Sequence, residues 1–451
     1  MPQTTIKTVA QTLIQVFNNT PENSKTFHFI AIGGIGMSGI AQVLAEAGFS
    51  VQGSDISTSA NTQRLQGLGV KVFNGHAAEN VTGADVVIVS TAIKPDNPEL
   101  MAAKEQGKTI IHRSEMLGEI CKNFKTIAIT GTHGKTSTTA MVYQALKEAG
   151  LDVGVINGGI IPSLNSNAKI GGEWLVVEAD ESDGSLVNIP AFISVITNIE
   201  PEHMEHHGTF DKLLGVYKTF LNNTHPDGFS VLCADDVHVQ RLAKEAKPAV
   251  VWYGKSHGFE NITLNIPGRH NVLNAQVALK IGDKLGLDKD KVLAGLGHYT
   301  GVMRRFTLVG QVNGVDIIDD YAHHPTEIAA TIDAALEKYK SVVAVIQPHR
   351  YSRLHALMDG FAASPKKAAC VYVAPVHAAG EDVIDGADHL TLKNKMAQAL
   401  SCPVEVVESV ADLQTKLDTT QFSGGAVLFM GAGSITQWAK DFFNQSNALK
   451  S

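Results

Sequence analysis

The chain has 451 residues, of which 44% are apolar and 18% charged, and its formal net charge is −8. Because a single hydrophobic core stops growing well below this length, we expect several domains and predict three. The modest negative charge disfavours an electrostatic nucleic-acid-binding protein but allows a local basic pocket for phosphates. The four cysteines are far apart, which predicts neither a disulfide framework nor a zinc site and fits a cytoplasmic protein.

The N-terminal segment, residues 1–25, predicts an amphipathic helix followed by a polar turn. Its single early lysine and interrupted apolar stripe are not typical of a signal peptide. No apolar run reaches the length of about 20 residues that crosses a membrane, so we expect no membrane association.

A dinucleotide-type βαβ unit is predicted next. A strand over Phe27–Ile32 precedes the glycines of a GxGxxG pattern, Gly34, Gly36 and Gly39, and a second strand ends near Asp55. The first glycines let backbone approach a pyrophosphate, and the third lets helix and sheet pack closely. NAD is the usual occupant, but any nucleoside diphosphate presents the same pyrophosphate, so the pattern leaves the ligand open.

Further strands alternate with loops up to a boundary that we place after residue 122. Residues that follow strands of a parallel sheet lie at its carboxyl edge, where ligands bind. Each is also compatible with ordinary loop chemistry. These exit-loop residues are His76, Ser90, Thr91, His112 and Arg113.

A phosphate-binding loop is predicted at the start of the second unit. Thr126–Thr130 reads as a buried strand and Lys135–Ala149 as a helix that ends before Gly150. Free backbone N–H groups and the helix dipole favour an anion there. The position five residues before Gly134 is Ile129 rather than glycine, so the loop is shorter than the general pattern. The predicted ATP-binding loop consists of Gly131, Thr132, His133, Gly134, Lys135, Thr136 and Ser137.

Two later strands of this unit run into acidic or histidine-rich loops. The first ends at Glu178, where nucleotide enzymes place an acid that holds Mg²⁺. The second runs into a loop that contains His203. We therefore expect Lys135 to meet the outer phosphates of ATP and the Thr136 hydroxyl to help hold Mg²⁺. No cysteine joins this group, which disfavours a closed zinc site. The other polar residues of the two loops are Asp180, Glu181, Asp183, Glu200, Glu202 and His206.

A short basic segment, residues 301–306, separates a last βα-rich unit. Asn271 and Asn274 lie near the start of the preceding helix, where capping is an alternative role. In the last unit His349, Arg350 and Arg353 follow one strand, and this cluster suits recognition of a carboxylate or phosphate.

Together these segments resemble the Mur ligase family, the ATP-dependent amide-forming enzymes of peptidoglycan precursor synthesis. The resemblance covers essentially the whole chain, including the shortened phosphate loop. It is carried by GTHGKTSTT, VVEADESD, TNIEPEHMEHH, PGRHNVLNA, RRF, DDYAHHPTE and QPHRYSR, and by the N-terminal HFIAIGGIGMSGIA with GSD.

The resemblance implies an α/β fold of three βα-rich domains, whose predicted bounds are 1–122, 123–303 and 304–451. It assigns UDP-sugar binding to an N-terminal Rossmann-like domain, ATP to a central P-loop domain and the amino acid to a C-terminal Rossmann-like domain. The implied substrates are UDP-N-acetylmuramate and L-alanine, with ATP and Mg²⁺ as cofactors. Domain closure is also expected, with a hinge near residues 301–306, where we expect loops with few buried contacts. A monomer or homodimer without nucleic-acid or membrane partners is expected as well.

The resemblance also implies roles for particular residues. Lys135, Glu178 and His203 are the expected catalytic residues, and Thr136, Glu178 and His203 would hold or organise the metal. A carbamylated lysine, which some relatives use, is left open. Further ATP contacts are expected from Asn271, Asn274, Arg305 and Asp320. The UDP-sugar would be bound by Gly34, Gly36, Gly39, Ser90 and His112, and L-alanine by Tyr321, His349, Arg350 and Arg353.

Three alternatives remain open on the sequence. A recycling ligase would add a tripeptide to the same UDP-sugar and would need a wider C-terminal pocket. A NAD-dependent dehydrogenase would use the GxGxxG pattern in the usual way, although the second phosphate loop disfavours it. A nucleotide-binding regulatory protein without chemistry is disfavoured by the acidic loops and by the His/Arg cluster.

Overall fold

The computed structural model describes residues 25–257 and 262–448, so the predicted N-terminal helix lies outside the described residues. The fold is a three-domain α/β fold with three sheets, as the sequence predicts. The described residues form two compact units, those within 1–265 and 272–300 and those within 266–271 and 301–451. Within the described parts of the chain, no helix is long and apolar enough to cross a bilayer.

The first sheet is parallel and has the strand order β3-β2-β1-β4-β5. Its strands are β1 (Thr26–Ile30), β2 (Ser50–Asp55), β3 (Lys71–Asn74), β4 (Val86–Val89) and β5 (Thr109–His112). Its helices are Ile35–Glu46, Ala60–Gly67, Pro98–Glu105 and Arg113–Cys121. The strand order reverses between β1 and β4, and this is the position at which doubly wound sheets bind ligands.

The second sheet has the order β12-β11-β10-β6-β9-β7-β8 and is parallel except for the antiparallel β7–β8 hairpin. Its strands are β6 (Lys125–Thr130), β7 (Val153–Ile161), β8 (Ser166–Lys169), β9 (Trp174–Glu178), β10 (Ile193–Ile196), β11 (Phe229–Cys233) and β12 (Ala249–Tyr253). The helices that follow in this part of the chain are Lys135–Glu148, Met204–His207, Phe210–Asn222, Val237–Ala243, Arg269–Lys284 and Lys289–Gly297. β6 is flanked by β9 and β10, which brings three strand ends together beside the predicted phosphate loop.

Both of these sheets belong to the first compact unit, and one apolar cluster contains residues from each of them. The β7–β8 hairpin also bonds to the first sheet's helices. Gln42 donates to the Ala168 carbonyl over 2.9 Å, and Arg64 donates to the Asn167 side chain over 3.0 Å. Because apolar and polar contacts join the two sheets, contact density does not separate them, and the boundary at 122/123 stays a prediction.

The third sheet lies in the second compact unit and has the order β13-β14-β18-β15-β16-β17, in which only the β13–β14 pair is antiparallel. Its strands are β13 (Thr307–Val312), β14 (Val315–Asp320), β15 (Val342–Ile346), β16 (Cys370–Val373), β17 (Val404–Val406) and β18 (Ala426–Met430). Its helices are Pro325–Lys338, Tyr351–Ala356, Met358–Ala363, His389–Ala399, Val410–Lys416 and Ile435–Ala448. β15 and β18 are fully buried, as expected for central strands with helices on both faces.

The segment 301–306 differs from the loosely held hinge that the sequence predicts. Arg304 and Phe306 both have positive φ, 63° and 51°. Arg304 donates to the Gly431 carbonyl over 2.9 Å, and the Phe306 N–H donates to Asp320 over 2.7 Å. These bonds tie the segment to the second unit, so the expectation of a segment with few buried contacts is wrong. The boundary at 303/304 stays a prediction.

Candidate active site

The phosphate loop connects β6 to the helix Lys135–Glu148 through two glycines with positive φ, 130° at Gly131 and 84° at Gly134. A Cβ at Gly131 would collide with the Thr197 hydroxyl, and a Cβ at Gly134 would lie 2.9 Å from the Asn274 side-chain oxygen. The loop therefore needs glycine at both positions. Of the predicted loop residues, Gly131–Gly134 form the loop and Lys135–Ser137 form the first turn of the helix. Asn274 lies beside this loop.

The ammonium group of Lys135 is turned towards an acid of the DESD segment. Its Nζ lies 2.9 Å and 2.8 Å from the two carboxylate oxygens of Glu181, and it donates to the Gly131 carbonyl over 2.7 Å. Burial lowers the pKa of Lys135, but the attraction of Glu181 and Asp180 outweighs burial, and the pKa lies above its usual value. Burial also raises the pKa of Glu181, but the ammonium against both of its carboxylate oxygens favours the ionised form. The ion pair holds the lysine at the loop.

Thr136 and Glu178, the two oxygen ligands expected for Mg²⁺, are in contact. The Thr136 hydroxyl donates to Glu178 Oε1 over 3.0 Å, and the Gly158 N–H donates to Glu178 Oε2 over 2.7 Å. A Cβ on Gly158 would lie 2.5 Å from that carboxylate, so a larger residue here would displace the Glu178 carboxylate. Hydroxyl and carboxylate oxygens are the hard ligands that Mg²⁺ prefers, and these residues fit the ion.

His203 has a left-handed backbone, with φ of 59°, at the start of the helix Met204–His207. Its ring nitrogens lie 4.0 Å from Glu202 and 3.7 Å from Glu205. Burial lowers the pKa of His203, which favours the neutral imidazole that a metal ligand requires. The following His207 contacts the Glu181 carbonyl through Nε2 over 2.9 Å, so this histidine-rich turn is also attached to the DESD segment.

The two predicted asparagines do not have the alternative role of helix caps, because their helix begins at Arg269 and both lie inside it. Asn274 contacts the phosphate loop, as described above. Asn271 is one of the residues of the second compact unit, and its amide group donates to the Pro267 carbonyl over 2.6 Å. The ATP contact predicted for Asn271 stays a prediction.

The glycine-rich loop follows β1, Ser90 follows β4, and His112 is the last residue of β5. The predicted UDP-sugar residues therefore lie at the carboxyl ends of neighbouring strands around the switch point. Asp55 accepts from the Gly33 N–H over 2.9 Å and from the Ser57 N–H over 3.1 Å. The Asp55 carboxylate thus stabilises the glycine turn through a hydrogen bond to its backbone.

The third glycine of the pattern packs against a different element from the one predicted. A Cβ on Gly39 would lie 2.7 Å from the Asn167 side-chain nitrogen and 3.4 Å from Ile156 in the β7–β8 hairpin. The close packing within the first sheet occurs instead at Gly53, whose Cβ would lie 2.6 Å from the Phe29 carbonyl. Gly39 therefore lets the first helix approach the second sheet.

In the second compact unit, two arginines flank the ring of Tyr321. The guanidinium carbons of Arg304 and Arg305 lie 4.8 Å and 5.0 Å from the ring centroid. Next to Tyr321, Asp320 is 6% exposed and accepts from the Phe306 and Ala322 N–H groups, each over 2.7 Å. Burial raises the pKa of Asp320 to about 6. The predicted residues Arg305, Asp320 and Tyr321 thus form one neighbourhood.

Two further histidine rings, those of His323 and His377, lie beside the His/Arg cluster that follows β15. His349 stacks on His377 with centroids 5.3 Å apart, and its ring lies 6.0 Å from that of His323. Arg350 has φ of 69°, and its N–H donates to the His377 carbonyl over 2.9 Å. Burial, followed by the nearby His323 and Arg353, lowers the pKa of His349 to about 3. The imidazole is neutral near pH 7, and the arginines carry the positive charge.

Sequence reasoning had noted Glu181 but gave it no function, and it did not assign His323 or His377. A signal existed for His323, because it lies two residues after the predicted Tyr321 at the same strand exit. His377 follows the neighbouring strand β16, so the parallel order β15–β16 brings it beside His349. The contact between Glu181 and Lys135 depends on side-chain direction, which the sequence pattern does not give.

Three profiles of one family match successive parts of this chain. They are described as Mur ligase family, catalytic domain, over residues 26–125; Mur ligase middle domain, over residues 129–261; and Mur ligase, glutamate ligase domain, over residues 304–433. The chain belongs to the Mur ligase family.

Among curated members of the family, the chain is similar to two ligases named UDP-N-acetylmuramate–L-alanine ligase. The protein of Agrobacterium fabrum is 45% identical over 446 residues, which cover 91% of this chain and 95% of that protein. The protein of Mesorhizobium japonicum is 45% identical over 453 residues, which cover 93% of this chain and 97% of that protein.

Solved structures of the family agree with the fold. The UDP-N-acetylmuramate–alanine ligase of Thermotoga maritima superimposes with a TM-score of 0.80 at 29% identity, over 94% of this chain and 99% of that chain. The murein peptide ligase of Psychrobacter arcticus gives a TM-score of 0.68 at 22% identity, over 94% and 98% of the two chains, and shows the fold alone.

Proposed function

We propose that this Mur ligase joins L-alanine to the lactyl carboxylate of UDP-N-acetylmuramate, with ATP as the source of activation, in peptidoglycan precursor synthesis. The observation that carries the proposal is the constellation at the end of β6, where Lys135 and Thr136 begin a helix and contact Glu181 and Glu178. The relatives that are 45% identical over more than nine-tenths of the chain are named for this substrate pair.

The proposed reaction has two steps with an acyl phosphate between them. A carboxylate is a poor electrophile because its leaving group would be oxide. The lactyl carboxylate oxygen therefore attacks the γ-phosphorus of ATP, the bond to the β-phosphate oxygen breaks, and ADP leaves. The uncharged amine of L-alanine then attacks the acyl carbon, the bond from carbon to phosphate oxygen breaks, and the amine loses a proton. The products are an amide, ADP and phosphate.

Lys135 would stabilise the charge that develops on the transferring phosphoryl group. To do so it must leave Glu181, which holds the ammonium at the loop over 2.9 Å. The backbone N–H groups at the start of the helix Lys135–Glu148 would receive phosphate oxygens, because they have no acceptor within the helix.

Mg²⁺ is part of this proposal. Thr136, Glu178 and His203 would hold or organise it, and when bound it would neutralise charge on the phosphate oxygens. The oxygen ligands Thr136 and Glu178 are already in contact over 3.0 Å, and burial keeps the His203 imidazole neutral. The protein therefore presents the ligand types that the ion requires without further protonation changes.

L-alanine would bind in the second unit at the cluster around Arg350. Arg350 and Arg353 would pair with the amino-acid carboxylate, while the neutral His349 adds no charge of its own. A cytoplasmic location is also proposed, and the four free cysteines are compatible with a reducing compartment. The choice between a monomer and a homodimer stays a prediction.

The test is a phosphate-release assay on the full chain. With Mg-ATP, UDP-N-acetylmuramate and L-alanine together, purified protein should release phosphate and form the amide, and omission of any one substrate should abolish both. Equal release with a tripeptide in place of L-alanine would favour the recycling ligase. Failure of the complete mixture, or reduction of NAD by a hydroxy acid, would contradict the proposal.

A further inference from the structure

The Arg113 guanidinium lies between two loops that serve different substrates in the proposed reaction. Its Nη2 is 3.4 Å from Asp180 Oδ2 and 3.8 Å from Asp183 Oδ2. On the other side, a Cβ on Gly36 would lie 3.3 Å from Nη1. The same side chain therefore pairs with the DESD segment of the second sheet and lies beside the glycine-rich loop of the first sheet.

Asp180 connects this arginine to the ATP site. It attracts the Lys135 ammonium as well as Arg113, so one carboxylate is shared between two cations that come from different sheets. Its side chain is 39% exposed, and that of Arg113 is 21% exposed. Because both groups can be reached from solvent, an incoming anion can compete with Asp180 for the guanidinium.

Two polar atoms of the same cluster have no hydrogen-bond partner within the described residues, although both are enclosed. They are His112 Nε2 and Asp183 Oδ2. His112 directly precedes Arg113, and Asp183 Oδ2 lies near the same guanidinium nitrogen as Asp180. Enclosed polar atoms without a partner are rare because they are costly. His112 Nδ1 accepts from the Ser114 N–H, so Nε2 of the neutral ring carries the proton and is suited to donate to an anion, whereas the Asp183 carboxylate can only accept.

We propose that Arg113 binds the diphosphate of the UDP-sugar beside Gly36 and that it leaves Asp180 when it does so. The proposal rests on the proposed function, because it takes the glycine-rich loop as the diphosphate site. One guanidinium cannot fully neutralise both anions, so diphosphate binding weakens the Arg113–Asp180 pair. Asp180 is then left with Lys135 as its cationic neighbour, and occupancy of the UDP-sugar site changes the charge beside the ATP lysine.

The experiment compares UDP with uridine by isothermal titration calorimetry on the full chain. The dissociation constant of uridine divided by that of UDP reports the contribution of the diphosphate. This ratio cancels any loss of folded protein, because both ligands bind the same folded molecules. Arg113→Ala should lower this ratio by about ten- to a hundredfold, the loss typical of a charge-assisted contact. Arg113→Lys should restore part of it, because the charge returns without the planar fork.

Asp180→Asn gives a change of opposite sign. It removes the anion that competes for Arg113, so the ratio should rise by roughly threefold. In the double variant Arg113→Ala, Asp180→Asn the ratio should equal that of Arg113→Ala, since the competitor has no effect once the guanidinium is gone. A purely structural role of the pair would instead lower affinity for both ligands and leave the ratio unchanged.

Arg64→Gln is the matched control. Arg64 also joins the first sheet to the second, but its guanidinium contacts the side chains of Gln42, Asn61 and Asn167 and no residue of the DESD segment. Its ratio should equal that of the wild type. An unchanged ratio in Arg113→Ala, or a lower ratio in Asp180→Asn, would overturn the inference. Phosphate release by the wild type, measured on the same preparation, reports separately on the proposed function.

Discussion

The ammonium group of Lys135 lies within 2.9 Å of both carboxylate oxygens of Glu181, and the Glu181 side chain is only 1% exposed. A buried ion pair of this kind is costly to break from one side, because the remaining charge loses its nearest opposite charge and has little contact with water. The pair therefore serves two purposes in the proposed enzyme. It holds the lysine at the phosphate loop before ATP binds, and it breaks when the lysine pairs with phosphate oxygens instead.

Glu181→Ala should lower the free energy of unfolding of the first unit by about 3–5 kcal/mol, since it removes the carboxylate that contacts the buried Lys135 ammonium. The double variant Lys135→Met, Glu181→Leu should lose less than Glu181→Ala alone. Urea unfolding followed by tryptophan fluorescence measures this. In a Trp438→Phe background, the remaining Trp174 and Trp252 both lie in the first unit.

Lys218→Ala is the control for that series. Its pair with Glu245 is solvent-exposed, 46% and 54% for the two side chains. Exposed ion pairs contribute little to stability, so the urea midpoint should not move. If the double variant lost more than Glu181→Ala, the Lys135–Glu181 pair would not be the source of the effect.

Lys135→Ala should lower the rate of phosphate release by at least about a hundredfold, because removal of one group that stabilises transition-state charge typically costs this much. Affinity for UDP should stay within a factor of about two, as the glycine-rich loop belongs to the first sheet. Phosphate-release kinetics and calorimetry with UDP measure the two quantities. Loss of UDP binding together with turnover would contradict the assignment of separate ATP and UDP-sugar sites.

Asp320 should make the second unit less stable as the pH rises towards 7. Burial raises its folded pKa to about 6 from 3.8, so the folded state binds the proton more tightly than the unfolded state does. This contribution is fully present below about pH 4 and is lost as the pH rises through 6, on the order of 3 kcal/mol in total. Asp320→Asn should remove that part of the pH dependence.

The measurement uses unfolding curves between pH 4 and pH 7 in a Trp174→Phe, Trp252→Phe background, where Trp438 reports on the second unit alone. Asp333→Asn is a suitable control, since the Asp333 side chain is 53% exposed and should leave the pH dependence unchanged. Equal pH dependence with and without the Asp320 carboxyl group would refute the prediction.

Gly39→Ala should lower the stability of the first unit by roughly 1–3 kcal/mol, the usual cost of overpacking. The new methyl group would lie 2.7 Å from Asn167, which is fully buried and bonded to the Ile35 carbonyl over 2.7 Å. Gly215→Ala is the matched control. Gly215 also lies inside a helix, but nothing lies within 4 Å of its Cβ position, so alanine should stabilise by about 0.5–1 kcal/mol. Urea midpoints of the two variants, measured in the Trp438→Phe background, should fall for Gly39→Ala and rise for Gly215→Ala.

Arg353→Ala should raise the KM for L-alanine by about ten- to a hundredfold, because it removes a charge-assisted contact to the amino-acid carboxylate. The KM values for ATP and UDP-N-acetylmuramate should change little. Lys367→Ala provides a control, since Lys367 is 55% exposed and pairs with Asp333 over 2.8 Å. A variant that raised all three KM values equally would show general loosening of the second unit rather than loss of the carboxylate contact.

Much of the site could be predicted because, in alternating strands and helices, the residues that follow each strand lie at the carboxyl edge of the sheet. A strand, a glycine turn and a helix place Lys135 and Thr136 at a sheet edge whatever the rest of the chain does. The acid Glu178 could be added because it ends another strand of the same unit. The three-domain fold and the identity of the family followed from motifs spread over the whole chain.

Other contacts could not be predicted because they depend on how separate elements pack. Gly39 fits the spacing of a dinucleotide loop, yet its close neighbour is Asn167 in a hairpin more than a hundred residues later. The segment 301–306 is basic and begins with glycine, which favours a loose link. The Phe306 N–H donates to Asp320 at the end of β14, and the Arg304 side chain donates to the Gly431 carbonyl after β18, and these bonds hold the segment in place.

The sequence by itself determined the order of the elements, the residue types at each strand end and the family, because local periodicity and short motifs depend only on neighbouring residues. The tertiary structure alone decided which charges meet. Lys135 pairs with Glu181 because the order of parallel strands in the second sheet, which no local pattern specifies, brings their loops to one edge. Arg113 pairs with Asp180 because the first and second sheets pack together, and that packing joins residues far apart in the sequence.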